Sequence, residues 1–393
     1  MECFAKTKFS TSKSIGNSLA FLKISMLACK EPHFAFDEKG PILKTVRMSN
    51  KPVIALSTSY FRQDYSDGYE MLCKCAELGF EYVELGHNTT VNLVQGVLKA
   101  LKEGVVKVSS LHNFCPVPPF ARPPAPNLYS PATSSKIETS QWRRHTLNTL
   151  SLAKETGASR VVMHSGALVY FFLNPKFSLM ESWDAAQSAK RSLEDLEGEF
   201  SGGELPEGEK KSRIKSAEEN LKLLQSAYQK KLAKFISKSE KKAVKFHKRI
   251  FENLKSIDGD FSNAGILLGV ENRDGYVELP FDTMFADFTQ SLAKELTNVR
   301  PWIDIGHVKV KSLRGVIDFE RFVEEASPNV CAWHLHDCNL SCHDHRAIGD
   351  GDIDFNFVKK FFKPESQIFT LELNYRVKEE DVVSSRKKVE DMF

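Results

Sequence analysis

The chain has 393 residues, of which 41% are hydrophobic and 27% charged, with a formal net charge of +3. This composition excludes a disordered chain, the near-balanced charge excludes a global attraction to polyanions and leaves only local patches to weigh, and no apolar run reaches the roughly 18 residues of a membrane helix. Eight scattered cysteines, with no CxxC pair and no regular framework, read as reduced thiols in a cytoplasmic protein.

Residues 1–50 are rich in Ser and Lys and poor in acids, with one short apolar patch, LAFLKISMLAC. They are expected to form an unstructured leader. From Lys51 to the C-terminus, short β-branched or apolar runs alternate with longer amphipathic stretches, the pattern of a parallel sheet with crossover helices. The runs are VIALS (Val53–Ser57), YVELG (Tyr82–Gly86), VKVSSLH (Val106–His112), RVVMHSG (Arg160–Gly166), ILLGVEN (Ile266–Asn272), PWIDIGH (Pro301–His307), CAWHLHD (Cys331–Asp337) and IFTLELN (Ile368–Asn374). Eight such units predict an α/β fold, a closed (β/α)8 TIM barrel over residues 51–393.

The polar residues in these runs have a direction. All runs but the first carry His, Glu, Asp or Asn at or near their C-terminal ends. In a (β/α)8 barrel those ends and the loops after them build the site, so ionisable groups there read as chemistry. A single such histidine is accounted for by a hydrogen bond in the core, but the whole set is not.

One crossover is too long. Residues 168–262 stand where a loop and a helix need far fewer, which predicts a helical insertion after the fourth strand. GEFSGGELPEGEKK forms a charged hinge, after which Leu224, Tyr228, Leu232, Phe235, Ala243, Phe246, Ile250 and Leu254 recur at helical spacing. The expectation is a long hairpin outside the barrel. Its segment Lys230–Arg249 carries nine Lys or Arg in twenty residues, either a solvated helix face or a surface for phosphate or nucleic acid.

Glu271, Asp304, His334 and Glu372 each close a different predicted strand, in GVEN, WIDIGH, WHLHD and TLELN. Carboxylates with one imidazole suit a divalent metal: Mn, Mg, Co or Zn. With so many oxygen and nitrogen donors nearby, the CxxxC pair Cys338 and Cys342 is not needed as a zinc site.

With SLHNF, VVMHSG, GVENRDGYVELP, WIDIGHVK, HLHD, DHRAIGDGDIDF and LEL in this order, the chain resembles the xylose isomerase-like TIM barrels. That superfamily includes sugar phosphate isomerases and epimerases and endonuclease IV. The epimerase branch implies that Glu271, Asp304, His334 and Glu372 hold the metal and that the two glutamates face each other across the substrate carbon. One of them, Glu271 or Glu372, would then remove a proton next to a carbonyl and the other return it, through an enediolate. His307 and Arg346 would grip substrate oxygens, and His112 and His164 would shape the pocket. The substrate implied is a small polyol or sugar; self-association is left open.

The endonuclease IV branch implies instead a zinc cluster acting on abasic DNA, with His112, His164, His307 and His345 as further ligands. His343 stands where that family has an aspartate, with Asp344 beside it. Two features depart from the nuclease: the run after strand five is RDGYVELP rather than small residues, and the Pro-rich CPVPPFARPPAPNLY resembles lids over small substrates. The isomerase-like expectation is therefore the leading one.

Overall fold

A computed structural model describes residues 51–170, 174–200 and 206–393; the leader expected over residues 1–50 lies outside the described residues. The eight strands are β1 (Val53–Ser57), β2 (Tyr82–Leu85), β3 (Lys107–His112), β4 (Arg160–Met163), β5 (Leu267–Glu271), β6 (Val299–Asp304), β7 (Ala332–Leu335) and β8 (Ile368–Leu371). They pair in parallel and in sequence order, and β8 closes on β1. This is the (β/α)8 barrel, with a long helix after β4 as the sequence predicts.

Successive strand residues point to opposite faces, and the sequence uses both. One set, including Ile54, Leu56, Val161, Met163, Ile303, Trp333, Phe369 and Leu371, joins the large apolar cluster shared with the surrounding helices. The alternate set, Val53, Val162, Trp302, Ala332 and Ile368, forms a separate small cluster with Cys331 that plugs the lumen. Two residues further along the same lumen face come His164, Asp304 and His334, and four after Ile368 comes Glu372. The period of two therefore delivers a ring of polar side chains directly above an apolar floor.

The outer helices are stopped by local chemistry. Ser135 accepts a hydrogen bond from the Glu138 N–H at the start of Lys136–Thr156, and Gly157, at φ +74°, ends that helix in the left-handed conformation that glycine adopts without a Cβ penalty.

The insertion consists of helices Pro175–Phe200 and Glu207–Ala264. Its position agrees with the sequence expectation; its packing is more intimate than a hairpin outside the barrel. No residue from 206 to 227 is buried, so that part projects. From Tyr228 onward, Leu232, Phe235, Phe246, Ile250, Leu254, Ile257 and Phe261 are buried in the main apolar cluster. The lower half of this helix thus serves as the crossover helix between β4 and β5, and only the upper half is added.

His247, on the same helix, accepts the Phe281 N–H through Nε2 at 3.0 Å and stacks on Phe288 at 4.3 Å. Burial holds its imidazole down at about 4, below the unfolded value of about 6.5. The folded state therefore binds fewer protons, and the stability from the neutral ring, present above pH ~6.5, is lost as pH falls toward 4. The expected loss is about 3 kcal/mol, at roughly 1.4 kcal/mol per pH unit. His247→Gln keeps an acceptor for Phe281 without titrating, so its urea-unfolding free energy should fall less steeply between pH 6.5 and 4. Equal slopes in the two proteins would refute the assignment.

Candidate metal centre and active site

Glu271 ends β5, Asp304 ends β6, His334 lies in β7 and Glu372 follows β8. All four are buried, and one donor atom from each lies within 4.8 Å of the others. His334 Nδ1 is 3.1 Å from Glu372 Oε2, 3.3 Å from Glu271 Oε1 and 3.8 Å from Asp304 Oδ2. On its other side Nε2 is 3.3 Å from Glu84 of β2, which also accepts the Ser110 hydroxyl at 2.8 Å. A hydrogen on Nε2 donated to Glu84 leaves the Nδ1 lone pair aimed at the carboxylates, the arrangement that orients a metal-binding imidazole.

The charges around this point suit a cation. Burial alone would raise the Glu271 carboxyl, but the Arg273 guanidinium holds it well below the usual range. Likewise burial would raise Glu372, and His334 holds it well below. Burial would lower His334, yet Glu372 and Glu84 push it well above its usual value. Glu271 Oε2 and Glu84 Oε1 are buried without a hydrogen-bond partner among the described residues. Buried carboxylates held anionic around one point, with a proton drawn onto the nearest imidazole, fit a divalent ion.

Asp304 is braced from two directions. Its Oδ1 accepts the His307 N–H at 2.8 Å, capping the helix Ile305–Leu313. His336 Nε2 lies 2.9 and 3.0 Å from its two oxygens. His336 Nδ1 accepts the His345 N–H at 2.8 Å, which places the ring hydrogen on Nε2, toward Asp304. The ring fits because residue 306 is glycine: a Cβ there would stand 1.9 Å from His336 Cε1.

A second rank of groups surrounds the four. His112, the last residue of β3, and His164, just after β4, place Nε2 at 3.6 and 3.0 Å from Glu271 Oε2. Their Nδ1 atoms meet the Asn113 carbonyl at 3.0 Å and Asn127 Oδ1 at 2.9 Å. Burial, reinforced by Arg273, lowers His164 to about 3. Arg273 Nη1 is 3.1 Å from Glu271 Oε1 and 3.4 Å from His307 Nδ1. His345 Nδ1 meets the Glu372 carbonyl at 2.8 Å. Three further triads offer ligand atoms at metal-binding separations: His112, His164 and Glu271; His87, His112 and Glu372; and His307, His336 and His345. In the last, both nitrogens of His336 are already engaged.

Of the residues singled out from sequence, the structure gathers Glu271, Asp304, His334, Glu372, His112, His164 and His307. Arg346 sits apart at the rim. Its backbone pairs with Asp337 and its guanidinium with Asp350, Nη2 to Oδ2 at 2.5 Å, beside a cavity of about 550 Å³ that also touches His345 and Arg376. Sequence reasoning passed over Glu84, Arg273, His336, His87 and Asn127. Lumen periodicity was the available signal for His336, two residues after His334, and YVELG already showed Glu84 near a strand end.

No family profile matches the chain. An uncharacterized protein of Methanocaldococcus jannaschii is 26% identical over 124 residues, 32% of this chain, and the chain spans 45% of that relative's length. Among solved structures, a D-tagatose 3-epimerase-like protein superposes with a TM-score of 0.54 at 15% identity, covering 86% of this chain and 96% of that one. The 3-keto-D-glucoside 4-epimerase of E. coli gives 0.54 at 11% identity, over 87% and 99%. An AP endonuclease, family 2, from Brucella melitensis gives 0.50 at 12% identity, over 85% and 97%. What these structures share with the chain is the (β/α)8 barrel fold.

Proposed function

We propose that the chain is a divalent-metal-dependent isomerase or epimerase of a small polyol or sugar. Glu271, Asp304, His334 and Glu372 hold one ion (Mn, Mg, Co or Zn), and Glu271 and Glu372 move the proton next to a carbonyl. One observation carries this: four buried donors, from the ends of β5 to β8, converge on one point. When bound, the ion supplies Lewis-acid polarisation of the carbonyl. The remaining work belongs to side chains. Arg273 keeps Glu271 ionised and able to take up a proton, Glu372 approaches the same point from β8, and His112 and His164 present Nε2 toward the space at Glu271 Oε2, where a substrate hydroxyl can bond. Cys75, Cys115, Cys331 and Cys338 are buried and unpaired, which fits a cytoplasmic setting, and no helix among the described residues is long and apolar enough to cross a membrane.

A second reading, a zinc-dependent phosphodiesterase acting on abasic DNA, is favoured by one feature. With both Nδ1 atoms facing oxygen acceptors, His112 and His164 turn lone pairs toward Glu271 Oε2, as ligands of another ion do. Metal analysis separates the two. The isomerase reading expects one ion per chain in the wild type and still one in the double variant His112→Ala, His164→Ala, whose substrate affinity falls. Three zinc ions in the wild type, with cleavage of abasic DNA, would overturn it.

A further inference from the structure

The basic segment Lys230–Arg249 plays no part in the metal chemistry, and the structure sorts its charges. Lys241, Lys245 and Arg249, four residues apart on one helix face, join Lys242 along one wall of a cavity of about 840 Å³. The opposite wall comes from the loops after β3 and β4, with Asn127, Ser130 and Gly166 among its residues. Two acids on the walls are already occupied. Glu138 accepts the Ser130 N–H at 3.1 Å and the Thr133 hydroxyl at 2.6 Å, and Glu278 accepts the Gly275 N–H at 2.7 Å. Lys242 is spent as well, donating to the Val169 carbonyl and lying over the Tyr170 ring. Arg249 Nη1 donates to the Ala132 carbonyl at 3.4 Å. Lys241 and Lys245 make no hydrogen bond or ion pair among the described residues, and both are exposed to the cavity. The far wall reaches the metal centre in one step, since Asn127 bonds His164, whose Nε2 faces Glu271.

We propose that the insertion builds an anion subsite: Lys241, Lys245 and Arg249 grip a phosphate monoester at the end of the substrate remote from the carbonyl. This rests on the small-molecule reading of the metal centre and narrows it to phosphorylated substrates. The warrant is charge and place. Uncommitted ammonium groups inside a concave wall form charge-assisted hydrogen bonds to phosphate oxygens. The cavity lies against the half of the insertion that packs on the barrel.

The test uses the full metal-loaded chain, with glycerol 3-phosphate, inorganic phosphate and glycerol as probes in calorimetric titrations. The wild type is expected to bind the two phosphates and not glycerol. The double variant Lys241→Gln, Lys245→Gln changes two exposed positions and is expected to lose roughly tenfold in phosphate affinity, with metal content and unfolding midpoint unchanged. Equal phosphate affinity in both proteins, or no phosphate binding by the wild type, overturns the subsite. So does tight binding of an abasic duplex that the double variant loses while small phosphates bind neither protein. The two levels fail separately. Phosphate binding lost in the variant, without carbonyl proton exchange in any phosphorylated ketose, upholds the subsite and refutes the reaction. Exchange in uncharged ketoses that ignores the substitutions upholds the reaction and refutes the subsite.

Discussion

Glu271→Gln is expected to lower turnover by roughly 1,000-fold, the scale of removing a positioned general base, and Glu372→Gln to do the same. Each amide keeps the shape of the side chain but neither takes up a proton nor contributes a full negative charge. The loss at Glu271 is compounded by its neighbours: Oε1 faces Arg273 at 3.1 Å and His334 at 3.3 Å, and Oε2 faces His164 at 3.0 Å. Neutralising it removes the nearest of three carboxylates around the Arg273 guanidinium and one negative charge from the four-donor group, so ion occupancy should fall too. The measurement is exchange of the carbon-bound hydrogen next to the carbonyl in deuterated solvent, followed by NMR, alongside metal content. A Glu271→Gln protein with full ion occupancy and full exchange on an identified substrate would show that this carboxylate is neither ligand nor base.

The second large effect concerns the insertion. Leu254→Ala should cost about 2–5 kcal/mol, as truncations of fully buried leucines do, because Leu254 is fully buried in the main apolar cluster. Replacing Ser182 to Ser256 by a short Gly/Ser linker should abolish cooperative unfolding, since it also removes Tyr228, Leu232, Phe235, Phe246 and Ile250 from that cluster. Shortening the hairpin at its tip, with residues 190–217 replaced by a Gly/Ser turn, should leave the urea midpoint unchanged: no described residue in that stretch is buried. If the tip-shortened chain unfolds without cooperativity, the projecting half is also part of the core.

Much of this was legible in the sequence, for a physical reason. A parallel barrel buries both faces of its strands, so each reads as an apolar run, and the runs marked all eight strands to within two or three residues. The convergence of the four donors was legible because ionisable side chains recur at the lumen-facing ends of the strands. What escaped was whatever depends on two segments meeting. Glu84 matters because β2 brings it to His334 from 250 positions away in the chain. Arg273 follows the strand-five carboxylate in sequence, but nothing local tells whether its side chain turns back onto Glu271 or out to solvent. The hairpin was predicted to stand clear of the barrel because an amphipathic stripe looks the same whether a partner helix or a barrel wall covers it. Arg346 shows the opposite difficulty: a motif position indicates where the backbone goes, while Asp350, four residues on, decides where the guanidinium rests.

Gly306 carries a consequence for divergence. It carries no side chain, yet the His336 ring occupies the space where any side chain at 306 would begin, and that ring holds Asp304 in place. An alanine there would evict the imidazole before altering a single ligand, so a lineage can replace His336 first and enlarge residue 306 afterwards, but not in the reverse order. In this chain the residue two positions after Asp304 therefore decides whether an imidazole from the neighbouring strand can brace that carboxylate.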